Sequence, residues 1–321
     1  MQKWFLVIGS MLLLCLSLFS LFVGVRNITL AGLLSGEADQ MLVFVVSRVP
    51  RLIAILTAGM GLSVVGLIMQ QLARNKFVSP STAGTMEAAS LGLLIALIFF
   101  TGAPLLVKML ISFVFALAGT LIFMQILERV KYKDVIFVPL VGIMFGGVIG
   151  AITTFIALRY DLLQSLGAWM TGSFAGVLRG RYELLYLAVP VTILAYFYAD
   201  RFTLAGMGED FAVNLGLNYK QVVNLGLALV ALATASVVLT VGMIPFLGLI
   251  VPNIVTLILG DNLKRTLPHT ALAGAIFVLV CDLIGRTVRY PYEIPIGLVI
   301  GVLGSAIFLY LILNKGAYAT Q

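Results

Sequence analysis

Histidine, cysteine and charge are all scarce here: one histidine, two cysteines and 10% charged side chains among 321 residues. His269, Cys15 and Cys281 form no cluster with metal-ligand spacing. Both cysteines fall in apolar runs, so neither a metal centre nor a disulfide is expected. No phosphate-binding G-x-x-x-x-G-K-[S/T] loop occurs, and no serine stands in a nucleophile elbow. The chain therefore has no visible means of hydrolysing ATP or of acyl transfer, and no cofactor is expected. Soluble domains carry roughly a quarter charged residues. A chain that is 61% hydrophobic with mean hydropathy +1.14 could not keep its apolar surface dry as a soluble fold. It reads as an all-α polytopic membrane protein, residues 1–321 forming one transmembrane domain. The net charge of +7 is ordinary for that class and implies no nucleic-acid partner.

What is abundant is long apolar runs. Ten read as membrane spans: about 4–24, 52–73, 86–101, 105–127, 135–158, 184–199, 222–243, 247–260, 268–285 and 296–313. The third, sixth and eighth are short. The first run exceeds a signal-peptide core and no A-x-A site follows, so it is expected to remain as a span with Lys3 inside. An even count then places both termini in the cytoplasm. On this topology eleven Lys and Arg lie inside and nine outside, of the 20 present. The positive-inside bias is weak, and eight of the nine outer cations are arginine. Arginine presents a rigid fork that fits carboxylates, whereas lysine is a point charge. An outer demand for guanidinium groups is one explanation; lipid-phosphate contact or helix capping is the plainer one.

The most concentrated outer charge is Ser47-Arg-Val-Pro-Arg51, at the mouth of the second span. A three-residue spacing puts Arg48 and Arg51 on one helical face, and Pro50 suits a first turn. Within the spans, Glu87, Lys108 and Asp282 all lie toward ends, where snorkelling or capping would account for them. A proton-coupled carrier would be expected to hold carboxylates near the midplane. Gly142, Gly146 and Gly150 recur every four residues in the fifth span, as do Gly297 and Gly301 in the tenth. Such ridges permit close helix packing; a smooth pathway wall is the compatible alternative.

The longest inside connection joins the sixth and seventh spans. It predicts a short helix, a break at Gly216 and a second helical start. Glu209 and Asp210 fall in a first turn, where the helix dipole favours anions. Ala212, Val213, Leu215 and Leu217 supply an apolar side. A small amphipathic pair on a chain without a cytoplasmic domain suggests docking to a soluble partner; adsorption to lipid is the alternative, which two acids and one lysine disfavour.

Several stretches together resemble one family, the ten-span permeases of ATP-binding-cassette importers for ferric siderophores, haem and vitamin B12. The arginine-x-proline-arginine pattern is Arg48-Val-Pro-Arg51. It is followed by the linker "QQLARNKFVSPSTAGTMEAASLG". The cytoplasmic G-E-x-x-A-x-x-L-G signature appears, with one residue of slack, as Gly208-Glu-Asp-Phe-Ala-Val-Asn-Leu-Gly216. F-x-G-L-x-x-P is Phe246-Leu-Gly-Leu-Ile-Val-Pro252. D-x-x-x-R and E-x-P-x-G are Asp282-Leu-Ile-Gly-Arg286 and Glu293-Ile-Pro-Ile-Gly297. Five motifs in order span about residues 48–313. The linker version is most similar to permeases for catecholate or mixed-type siderophores such as petrobactin. Two departures stand out: the family's asparagine-proline-leucine reads Asn75-Lys76-Phe77, and its proline-histidine and later arginine are replaced by Pro252-Asn253 and Thr256.

The resemblance implies a division of labour. Segment 206–219 would be coupling helices seated on an ATPase, with Gly208, Glu209, Asp210, Ala212, Leu215 and Gly216 at the contact. Arg48, Arg51 and Arg286, with Arg289 beside them, would dock glutamates on two lobes of a solute-binding protein. Asn75 and Phe77, with Asp134 and Val135 opposite, would form the cytoplasmic gate. Gly142, Gly146, Gly150, Gly297 and Gly301 would line the path between two permease subunits, identical or paralogous. Two cytoplasmic ATPase subunits would bind ATP and magnesium, the ferric siderophore being the cargo, in a bacterial cytoplasmic membrane. Haem or cobalamin as cargo, an ion-coupled secondary transporter, and a lipid-modifying membrane enzyme are the alternatives. The last two lack the carboxylate pairs or nucleophiles they would need.

Overall fold

A computed structural model describes residues 2–26, 28–130 and 137–313. Among the described residues all regular structure is helical. Helix α1 (Gln2–Phe22) is followed by α2 (Leu30–Leu34), α3 (Ala38–Val43) and α4 (Val49–Leu72). Then come α5 (Thr85–Phe99), α6 (Leu105–Arg129), α7 (Phe137–Arg159) and α8 (Leu163–Met170). A single 3₁₀ turn, Glu183–Leu187, leads into α9 (Ala188–Phe197) and α10 (Ala199–Gly206). The chain continues through α11 (Glu209–Asn214), α12 (Tyr219–Thr240), α13 (Leu247–Leu259), α14 (Leu263–Thr287) and α15 (Ile296–Leu313).

Each of the ten predicted runs carries a helix. Among the described residues six helices are long and apolar enough to cross a membrane, or seven if the bent pair 183–197 and 199–206 counts as one, with a bend of 66°. Helices α5, α13 and α15 are apolar but shorter.

Helix α4 is the pillar of the fold. Its apolar stretch is 78% buried, and it packs against α14, α13, α12 and α9. Glycines let two of these crossings close to backbone contact. A Cβ at Gly59 would lie 2.7 Å from the Gly274 carbonyl oxygen on α14, and one at Gly66 only 2.1 Å from that of Gly248 on α13. Helix α12 is the second buried element, 72% enclosed. By contrast α1, α6 and α7 keep most of their apolar surface outward: Trp4, Met144 and Phe155 are 65–72% exposed. Side chains of this kind on helices of this length face hydrocarbon or another subunit, not water.

The start of the second run differs from expectation. Rather than opening at Leu52, the helix runs on upstream, with a π turn at Phe44–Arg48 joining α3 to α4 into one continuous Ala38–Leu72. Pro50 is the reason. It has no N–H and its ring collides with the carbonyl four residues back, so the ladder widens by one residue there. Arg48 and Arg51 consequently lie inside a helix that continues outward, not at its free mouth.

Candidate functional site

At one end of the bundle, α4, α14, the end of α1 and the connection to α15 meet around a cluster of charge. Arg51 Nη1 donates to both carboxylate oxygens of Glu293 at 2.8 Å, and Arg51 Nη2 to Asp282 Oδ1 at 2.8 Å. Asp282 also pairs with Arg286 one turn further along α14, at 2.6 Å. Arg286 reaches the end of α1, donating to the Ser20 carbonyl at 3.1 Å, to the Val23 carbonyl at 3.0 Å, and to the Ser20 hydroxyl. Arg48 joins it there, donating to the carbonyls of Val23 and Arg26. Arg286 thus satisfies a carbonyl that the C-terminus of α1 leaves without a partner, at the negative end of its dipole, while Arg48 holds the chain that follows it.

The four outer arginines are therefore not equivalent. Arg48 and Arg51, each 8% exposed, line a cavity of about 360 Å³ together with Arg26, Ser47, Ala175 and Glu293. Arg289 is exposed, its guanidinium over the Tyr292 ring. Arg286 is enclosed at 4% exposure. Arg286, expected among the docking arginines, here holds Asp282 and the end of α1.

The opposite end of α4 leads into the linker 73–84. The Phe77 N–H donates to Asn75 Oδ1 at 2.8 Å, closing a tight turn. Asn253 Nδ2 donates to the Lys76 carbonyl at 2.8 Å, tying the linker to α13, and Lys76 pairs with Asp261 at 3.2 Å. Asn253 stands where the resembled family has histidine, and here it works as a brace for the linker. Phe77 packs edge-on against Phe308 of α15, with ring centroids 5.6 Å apart, and Phe308 stacks on Phe246 at 6.5 Å. Phe246 itself takes φ +62° just before α13, a left-handed conformation uncommon for a bulky residue and found where surroundings enforce it. Asp134 and Val135, expected opposite, lie outside the described residues.

The connection expected to be cytoplasmic carries two short helices, the second of which is the one predicted before Gly216. They are α10 and α11, hinged at Met207 and Gly208, and the next helical start after Gly216 is α12 itself. Gly208 adopts φ +119° and Gly216 φ +79°, conformations that glycine takes without steric cost. Asn218 caps α12 by accepting from the Gln221 N–H at 3.2 Å. Ala212 is fully buried against the body. Around it Met207, Phe211, Val213 and Leu215 are 45–59% exposed, with Glu209 and Asp210 also on the surface. This is an uncovered apolar patch edged by acids at one end of the molecule.

The glycine ridges divide. Gly142 and Gly146 are buried against the start of α5, where a Cβ would meet the Thr82 carbonyl at 2.1 Å and Gly84 at 3.2 Å. At these two positions the ridge serves close packing within the chain. Gly150 has open space around it, and Gly301 nearly so, its nearest neighbour being Pro245 at 3.9 Å. Gly297 packs on Gly172, donating its N–H to that carbonyl at 3.0 Å.

Asp282 and Glu293 stand inside sequence motifs, but nothing local marks either as a partner of Arg51. Their pairing with Arg51 closes separations of 231 and 242 residues, which no local pattern reports. Ser20 gave no signal at all. Among the described residues no three His, Cys, Asp or Glu side chains stand together as a metal site.

Comparison with known proteins bears on the chain as a whole. The FecCD transport family pattern matches residues 11–314. The chain is 57% identical over 308 residues to the petrobactin import system permease protein YclN of Bacillus subtilis, covering 96% of this chain and 98% of that protein. It is 42% identical to the ferric-anguibactin transport system permease protein FatD of Vibrio anguillarum, over 94% of this chain and 95% of that one. Its fold superposes, with TM-score 0.81 and 23% identity, on a solved structure described as an inward-facing metal-chelate type ABC transporter, covering 98% of this chain and all of that one.

Proposed function

The chain belongs to the FecCD transport family, and from that premise we propose that it is the membrane-spanning permease of an ATP-driven importer for ferric siderophores of the petrobactin kind. The observation that carries this reading is the 57% identity to a petrobactin permease along nearly the whole of both chains. A ferric siderophore is bulky, polar and often anionic, so it needs a protein path through hydrocarbon. The permease itself need not bind it tightly if a binding protein supplies affinity and an ATPase supplies work.

In this reading ten helices cross the bacterial cytoplasmic membrane with both termini inside, α5, α13 and α15 being short or tilted crossings. Two permeases, identical or paralogous, pair with two cytoplasmic ATPases. The patch on α10 and α11, with Glu209 and Asp210 at its edge, seats in an ATPase groove. Arg48, Arg51 and Arg289 receive carboxylates of an external solute-binding protein, while Arg286 keeps the cluster in place. The Arg51 fork is suited to bidentate, charge-assisted contact. Gly150, Gly297 and Gly301 border the path, and Asn75 and Phe77 close its inner end against α15.

Uptake of radiolabelled iron tests the proposal. A strain lacking this permease should lose import of ferric petrobactin while keeping haem and cobalamin import, and the gene should restore it. Import should stop on ATP depletion and persist when the proton gradient alone is dissipated. Import that collapses with the gradient and survives ATP loss would overturn the reading.

A further inference from the structure

The outer cluster holds one more cation than it has anions to match. Arg48, Arg51 and Arg286 face Asp282 and Glu293, and Arg48 has no carboxylate partner among the described residues. The Nε atoms of all three arginines also lack hydrogen-bond partners there. Two of the three, Arg48 and Arg51, line the outward cavity of about 360 Å³. A buried, under-compensated cation is costly, and the site is accordingly short of one carboxylate.

The two resident carboxylates differ in how firmly they are held. The Asp282 side chain is 3% exposed, sits within α14 and is shared by Arg51 and Arg286. The Glu293 side chain is 25% exposed, faces the cavity, and is held by Arg51 alone. It stands in the connection between α14 and α15, three residues before Ile296 opens α15. If Glu293 swings to water, Arg51 still keeps Asp282. If Asp282 leaves, two guanidinium groups lose their anion. Of the pair, only Glu293 is built to let go.

We propose that Glu293 is an internal stand-in for the docking carboxylate: it fills the Arg51 fork while nothing is bound outside, and the binding protein's carboxylate displaces it. This rests on the docking role given above to Arg48 and Arg51. The exchange conserves two charge-assisted hydrogen bonds, so it proceeds at small cost. Its direction is set by what else the incoming group gains, above all proximity to the unmatched Arg48. Glu293 is then a positioning residue. Its release frees the segment that leads into α15, whose other end carries Phe308 against Phe77. The Ile294 N–H donating to the Gly285 carbonyl at 2.9 Å remains as the anchor of that segment.

The test uses the whole importer in lipid nanodiscs with its solute-binding protein. Glu293→Gln keeps the shape and removes the charge. It should tighten binding-protein affinity by roughly tenfold and raise ATP hydrolysis in the absence of the binding protein several-fold. A merely structural Glu293 would yield unchanged or weaker binding, and either result overturns the exchange. Should Gln at this position block assembly, Glu293→Asp shortens the reach by one methylene; about two- to threefold tighter binding is expected, and no gain overturns the proposal. Arg51→Gln separates the two layers. If it binds the partner like the parent protein, the docking role fails and the exchange with it. If it loses binding while both Glu293 variants match the parent, docking stands and the exchange alone is refuted.

Discussion

Arg51 lies between two carboxylates, Glu293 on its more exposed side and Asp282 on its buried side, each contacted at 2.8 Å. The two contacts have different energetic weight because their surroundings differ. Asp282 is enclosed and serves two arginines, whereas Glu293 is a quarter exposed.

Asp282→Ala should therefore be the damaging substitution of the two. Removing one partner of a buried pair strands charge, and about 3–5 kcal/mol of stability is at stake. Glu293→Ala should cost about 1 kcal/mol or less, as for partly exposed pairs. Thermal unfolding of the detergent-solubilised protein compares them directly, and equal losses would contradict the ranking.

Glycine packing gives a second contrast. Gly66→Ala would force a methyl against the Gly248 carbonyl oxygen, a backbone atom that cannot swing away. Overpacking of that kind costs roughly 3 kcal/mol, and little folded protein should be recovered. Gly150→Ala, on the same residue type with open space around it, should fold at least as well as the parent, since alanine favours helix by up to about 1 kcal/mol.

The cytoplasmic patch should behave as a binding surface, not as core. Glu209→Lys combined with Asp210→Lys should leave the melting temperature within the small range of exposed charges, about 0.5–1 kcal/mol. Co-purification with the ATPase should drop by roughly tenfold or more. Ala212→Asp should instead unfold the segment, because Ala212 is fully buried. Full ATPase recovery with the doubly reversed variant would count against the coupling role.

At the inner end, Phe77→Ala and Phe308→Ala remove two sides of one aromatic contact. Measured singly and together, their effects on transport rate or stability should be non-additive by about 0.5–1.5 kcal/mol, as for edge-to-face pairs. Simple additivity would mean that the two rings act separately.

Much of this molecule was legible before any coordinates. Apolar run length located the helices, because a bilayer demands about twenty apolar residues and leaves few ways to satisfy their backbone. The break at Gly216 and the acid pair at Glu209 marked the cytoplasmic helices for the same local reason: turn conformation and helix dipole act over a few residues. What was not legible is long-range. Nothing near Arg48 says that its donors go to carbonyls at the end of α1, and nothing near Arg286 says that it points inward. The upstream reach of the second helix was missed because Pro50 reads as a start signal, whereas a single π turn lets the helix pass through it. Gly142 and Gly150 look alike in sequence and differ only in what the start of α5 places beside them.

Helix α4 has 24 residues, which at 1.5 Å per residue makes a rod of about 36 Å. Arg51 rides near one end and the Asn75 linker follows the other. Between them the rod is crossed at Gly59 and again at Gly66, where backbone meets backbone with no side chain between. Two such points on one rod fix its line against α14 and α13 at once. The Arg51 cluster and the Asn75 linker are therefore held at a set separation by a single rigid element.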